Sequence, residues 1–247
     1  MKELWESARG NLGFLLVCLV VFAGLFLVAR LVENFMLPRR NRVSGTRYVC
    51  YVAMFGALAG VLMLLEIPLF FAPSFYELDL SEIPILICSF YLGPVAGVTT
   101  ELLKILVKLL IKGTSTAYVG DFANFVVGCA FVLPASIVYN LKKSKRMALI
   151  GCVVGTICMA AFGSLFNAVY LLPKFAELFK MPLDVIIGMG TKVNARIISV
   201  STLVLYAVVP FNILKGTVVS IVTFLLYKRV EKMIFRPSAD NPKQSET

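Results

Sequence analysis

Near its end the chain reads "VVPFNILKGTVVSIVTFLLYKR", residues Val208 to Arg229, an apolar run broken by Asn212 and Lys215. Three residues apart on a helix, the two side chains share a face. The ammonium only donates hydrogen bonds, whereas the amide both donates and accepts, a combination that suits a neutral ligand rich in carbonyls and hydroxyls. Pro210 adds a freed backbone carbonyl nearby. Lys215 precedes Lys228 by 13 residues, about 20 Å of helix. A lysine side chain reaches roughly 6 Å, so it cannot snorkel that far. Left unpaired at mid-helix it would cost about 3 kcal/mol, so it must face protein, water or a ligand. Two readings stand: a structural partner inside a bundle, or a ligand contact.

Other polar residues at similar depth fall into two sets. Glu101, Lys104, Lys108 and Lys112 are spaced three, four and four apart and form one helical stripe in which Glu101 can pair with Lys104. Asn124 stands near the start of its apolar run, and in "SLFNAVYLLP" Asn167 and Tyr170 are three residues apart, a spacing that predicts a shared face. Asn167, Tyr170 and Asn212 are expected to converge in a cavity at the outer half of the bundle.

The chain has no histidine, which removes Ser-His and Cys-His nucleophile pairs, HExxH metalloprotease chemistry and histidine metal sites. The six cysteines lie inside apolar runs with no metal-ligand spacing, as small buried or lipid-facing residues do. There is no Walker-type glycine loop. No catalytic group, metal site or cofactor site is legible, so the chain reads as a non-enzyme. The net charge of +10 reflects basic residues facing anionic head groups rather than nucleic acid.

The elements that must position these groups are membrane helices. Of 247 residues, 59% are hydrophobic and only 15% charged, outside the range of soluble domains. Apolar runs at about 11–37, 48–70, 83–111, 121–141, 147–172 and 198–227 are each long enough to span. The run from Ile83 to Ile111 contains "LGPVAG", and Gly-Pro punctuation breaks it into two shorter helices. Seven helices result. Basic clusters at Arg39, Arg40, Arg42 and Arg47, at Lys142 to Arg146, and from Lys228 to Arg236 then fall on one side, the cytoplasmic side by the positive-inside rule. The segment from Pro173 to Val200 is expected to cap the outer surface. The first run outlasts a signal peptide's apolar core and reads as a retained anchor, with the extreme N-terminus outside.

The fold expected is thus all-α and polytopic, in a cell membrane. Residues 1–46 form an added N-terminal helix and basic linker, 47–230 a six-helix core, and 231–247 a cytoplasmic tail. In "AMFGALAG", Ala53, Ala57 and Gly60 make a strip of small residues, with Gly56 beside it. Such a strip either packs within the bundle or docks a separate membrane subunit.

The segments "LDLSEIPILI", "LGPVAGVTTELLK", "GDFANFVVGCAFVLPASIVY" and "VVPFNILKG" resemble the substrate-binding S component of an energy-coupling factor (ECF) vitamin transporter, and most closely its riboflavin-specific subfamily. The resemblance covers about residues 47–230. It implies a six-helix core that binds vitamin from outside and associates with a transmembrane coupling protein and two ABC ATPases. It assigns the docking motif to Ala53 and Ala57, and flavin contacts to Asn212, Lys215 and Asn167. Tyr170, Lys104 and Asn124 join the candidate substrate-binding set, as does Asp79 from the closing loop "FFAPSFYELDLSE". Phe166, Tyr170 or Phe71 could cover the ring. Riboflavin would be a transported substrate, not a cofactor. Ile105 follows the "ELLK" lysine where asparagine is common, and Ala168 follows Asn167 where an aromatic is common. The alternatives are an S component for another small nutrient, or a secondary transporter with its own coupling-ion sites.

Overall fold

The computed structural model describes residues 2–36, 45–73, 76–114, 118–178 and 181–235. Arg39, Arg40, Arg42, the tail from Arg236, Ser74 and Phe75 of the closing loop, and Ser115 to Ala117 lie outside the described residues. The helices are α1 (Lys2–Phe35), α2 (Gly45–Met63), α3 (Glu82–Leu92), α4 (Pro94–Lys112), α5 (Val119–Leu141), α6 (Lys145–Phe166), α7 (Leu172–Leu178), α8 (Leu183–Thr191), α9 (Val200–Leu203) and α10 (Val209–Val230). A π-helical turn, Asn167–Leu171, joins α6 to α7, and another, Val204–Val208, joins α9 to α10. The first helix starts earlier than its apolar run, and the segment expected to cap the outer surface holds most of α7 and all of α8.

Five stretches are long and apolar enough to cross a bilayer: Leu16–Phe35, Gly45–Met63, Val119–Leu141, Lys145–Glu177 and Val200–Ile234. The remaining pair, α3 and α4, is the run broken at Gly-Pro. Gly93 takes φ 110° and ψ 176°, a region essentially open only to glycine. Pro94 then starts α4, where its missing N–H costs nothing. α3 is apolar around its circumference and is buried from Glu82 to Phe90, as expected of a helix packed on all sides. It contacts α2, α4, α5 and α10. Gly93→Ala is expected to lower stability by about 1–3 kcal/mol through backbone strain, read as a lower melting temperature of the purified protein.

Glycines set the closest helix approaches. A Cβ at Gly151 or Gly155 would lie 2.7 Å from the Ala135 or Phe131 carbonyl oxygen of α5. At Gly56 and Gly60 it would meet Leu103 and Val107 of α4 at 2.7 and 2.5 Å. The small-residue strip is therefore divided, and Gly60 leaves it: Gly56 and Gly60 face α4, while Ala53 and Ala57 are exposed.

Three contacts fix which helix ends lie together. Lys143 Nζ donates to the Phe90 and Tyr91 carbonyls at the end of α3, at 3.0 and 3.2 Å. Glu33 Oε2 on α1 accepts from the Val95 N–H at the start of α4, at 3.3 Å. Tyr51 Oη donates to the Ile234 carbonyl beyond α10, at 3.1 Å. Arg47, Lys142 to Arg146, and Lys228 to Lys232 consequently share one end, as the helix count requires. One element departs from the all-helical expectation: a two-residue antiparallel ribbon pairing Ile67 with Leu78 and Pro68 with Glu77. It shapes the loop between α2 and α3.

Candidate ligand-binding site

Two prolines shape the backbone at the site. Pro173 and Pro210 cannot donate to the carbonyls four residues back, on Val169 and Tyr206, and each of those carbonyls lies inside a π turn. A π turn absorbs an unpaired carbonyl by widening the helix, and such turns are frequent at functional sites. The two turns contact each other at the end of the bundle opposite the basic clusters. Asn167 opens one turn, and Asn212 follows the other by one helical turn.

The loop between α2 and α3 closes over these residues. Tyr76 Oη donates to Asn167 Oδ1 at 2.7 Å, and Asn167 Nδ2 donates to the Gly163 carbonyl at 2.7 Å. The Tyr76 ring lies 5.5 Å from that of Phe211. Ala72, Tyr76, Val208 and Phe211 form a buried cluster, with Phe71 packed against it. Asn212 sits beside Asn167: a Cβ at Gly163 would lie 3.0 Å from Asn212 Nδ2. Asn212 is only 3% exposed, and its Nδ2 has no hydrogen-bond partner among the described residues. An unmade hydrogen bond of this kind costs about 1–3 kcal/mol.

One turn deeper lies a charge cluster. Lys215, 5% exposed, holds Asp79 Oδ2 at 2.8 Å and Glu82 Oε1 at 3.1 Å. The same Glu82 oxygen meets Lys104 Nζ at 3.2 Å. Lys104 also donates to Asn124 Oδ1 at 2.7 Å and pairs with Glu101 Oε2 at 2.7 Å. Lys104 and Glu101 are wholly buried. Glu101 meets Lys104 by charge alone, and among the described residues neither of its oxygens accepts a well-directed hydrogen bond. Gly128 makes room for it, because a Cβ there would fall 2.5 Å from Oε1. Three carboxylates (Asp79, Glu82, Glu101) thus face two ammonium groups (Lys104, Lys215), and the carboxylates are not gathered as a metal-ligand group.

Lys215 therefore has structural partners, one of the two roles its sequence position allowed. Asp79 lies in the loop, outside the spanning helices. Burial pushes its carboxyl up, but Lys215 and Lys104, with hydrogen bonds from Lys215 and Ser81, outweigh this and bring it down to about 2. It is a carboxylate throughout the neutral range.

Every residue of the α4 stripe has an ion-pair partner. Further along α4 towards its C-terminus, Lys108 pairs with Asp121 of α5 at 2.6 Å, and Lys112 pairs with Glu66 in the loop after α2. Each ion pair ties α4 to a different neighbour. Lys104 and Asn124 thus belong to the cluster through their bond to each other, and Glu82 joins them to Lys215.

Tyr170 stands apart, which corrects the shared face expected from its spacing. In the π turn hydrogen bonds run from i to i+5, so residues three apart no longer stack. Asn167 turns to Tyr76, whereas Tyr170 stacks on Phe166 (5.3 Å) and packs edge-on to Phe122 (6.4 Å). Phe166 belongs to the same row, leaving Phe71, Tyr76 and Phe211 as the aromatics over the asparagines. Tyr76 and Glu82 lie in the stretch expected to close the site but were not singled out, because nothing local marks a loop residue or a first helical residue whose partner lies 91 or 133 positions away.

Residues 47–227 match the family described as the ECF transporter substrate-specific component. The chain is 34% identical over 198 residues to the riboflavin transporter RibU of Staphylococcus aureus, covering 80% of this chain and 97% of that one. It is 29% identical over 184 residues to the riboflavin transporter FmnP of Bacillus subtilis, covering 74% and 91%. A solved S component of a bacterial ECF transporter superposes with a TM-score of 0.60 at 34% identity, covering 77% of this chain and 99% of that one. With the matched region spanning the entire charge cluster, the lid and both π turns, the chain belongs to the family of ECF transporter substrate-specific components.

Proposed function

We propose that the chain captures riboflavin at the end of the bundle opposite the basic clusters, which faces outside. It then delivers the vitamin through a separate coupling protein and two ABC ATPases in the cell membrane. The observation that carries this reading is the buried Asn212 amide, with an unpartnered donor, beside Asn167 and beneath the Tyr76 lid. The riboflavin transporters among its relatives support it. A flavin's pyrimidine edge alternates carbonyls and N–H groups, which two neighbouring amides read in both directions. Its hydroxylated side chain can donate to Asp79 and accept from Lys215 in the charge cluster. Opening the loop costs the Tyr76–Asn167 hydrogen bond and the Asp79–Lys215 ion pair, and the ligand replaces both.

Purified protein is expected to quench riboflavin fluorescence with saturable, one-site behaviour. An absence of binding down to micromolar affinity overturns the assignment. Exposed Ala53 and Ala57, turned away from α4, are the face proposed to dock the coupling protein. Replacing both with leucine is expected to abolish co-purification with that protein while riboflavin binding persists. Normal complex formation by the double variant would move the interface elsewhere.

A further inference from the structure

A lateral groove of about 330 Å³ runs along the lipid-facing seam of α6 and α10. Its walls are Leu149, Val153 and Ile157 of α6 and Ile221, Phe224 and Leu225 of α10. Thr156 and Ser220 lie at its base, but their hydroxyls are engaged with each other at 3.3 Å and with the Cys152 carbonyl at 2.9 and 3.5 Å. Thr217 also lines the groove, and the rest of the surface offered is apolar. A recess at this depth that stays unfilled forfeits dispersion contacts along its lining, so an alkyl chain is the natural occupant.

The groove also has a charged mouth. The α6 row Leu149, Val153, Ile157 steps by four, and one step back is Lys145. The α10 row Ile221, Leu225 steps by four, and one step on is Arg229. Residues four apart lie on one helix face, so both rows lead to a basic residue at the same end of the bundle, with Arg146 beside Lys145. All three are exposed, and none takes part in an ion pair among the described residues. The neighbouring carboxylate, Glu231, is already taken by Lys228 at 2.6 Å. The first turn of the 22-residue α6 adds unpaired N–H groups and the positive end of its dipole.

We propose that this groove binds one anionic glycerophospholipid of the leaflet at the basic end. One acyl chain lies between α6 and α10, and the phosphate rests on Lys145, Arg146 and Arg229. Basic pockets between membrane helices on that side are suited to anionic head groups. The groove shares no residue with the Ala53 and Ala57 strip or with the charge cluster, and it does not depend on which vitamin is bound.

Native mass spectrometry of the purified full chain, given equal amounts of phosphatidylglycerol and phosphatidylcholine with identical chains, tests this. One phosphatidylglycerol is expected to be retained, at least about tenfold over phosphatidylcholine. The preference should vanish in Lys145→Gln/Arg146→Gln/Arg229→Gln. Val153→Trp, which fills the groove and keeps every charge, should lose the lipid as well, with unchanged circular dichroism reporting an intact fold. Equal retention of the two lipids, retention that survives either variant, or a dimer with lipid-free grooves overturns the proposal.

Discussion

Lys104→Met is expected to lower stability by about 3–5 kcal/mol, the cost of breaking a buried ion pair by removing one partner. The magnitude follows from what is stranded. Lys104 is wholly buried and touches Glu101, Glu82 and Asn124. Without its ammonium, Glu101 keeps no charge partner within ion-pair distance among the described residues, and the Asn124 Oδ1 acceptor loses its donor. Methionine fills most of the volume, so the loss reports charge rather than a cavity. The measurement is thermal unfolding of the detergent-solubilised protein. Lys104→Met/Glu101→Gln should regain a large part of the loss, because it removes the stranded charge together with its partner. If the single variant melts with the parent, the cluster contributes no net stability.

That cluster also marks how far the sequence could be read. The helices, the break at Gly93 and the common end of the basic groups follow from local physics: apolar length, a Gly-Pro pair and the sign of loop charges. Asn167, Asn212, Lys215, Lys104 and Asn124 could be singled out because a polar residue in an apolar run needs a partner. The partners themselves were less accessible. The pairing of Lys104 with Glu101 is an i, i+3 contact and was legible. The pairing of Lys215 with Asp79 and Glu82 depends on how a loop folds back across the bundle, and no periodicity encodes that.

The misplacement of Tyr170 has a similar origin. Three-residue spacing implies a common face only while hydrogen bonds run from i to i+4, and Pro173 perturbs that pattern from downstream. A proline a few residues past a polar position, as Pro173 is past Asn167 and Tyr170, is thus a local signal for a π turn that a regular-helix reading overlooks. The division of the small-residue strip was likewise hidden, since glycine and alanine are equally small. Which of them faces α4 depends on where Leu103 and Val107 project.

The second large effect concerns the dual role of Lys215. Lys215→Met is expected to weaken riboflavin binding about 5- to 150-fold, corresponding to about 1–3 kcal/mol for a lost buried polar contact. The single variant is ambiguous by itself, because it also leaves Asp79 without its ammonium, and a misplaced loop would weaken binding indirectly. A double-mutant cycle separates the two causes. Asp79→Asn removes the loop's half of the ion pair and keeps Lys215 available to the ligand. If Lys215 contacts riboflavin directly, Lys215→Met/Asp79→Asn stays as weak as Lys215→Met, since the missing donor is not restored. If Lys215 serves only to hold the loop, relieving the stranded carboxylate restores affinity to within about threefold of Asp79→Asn alone, a difference below about 1 kcal/mol. Fluorescence quenching titrations on the four proteins read the outcome, and restoration by the second substitution would transfer the ligand-gripping role from the ammonium to the paired asparagines.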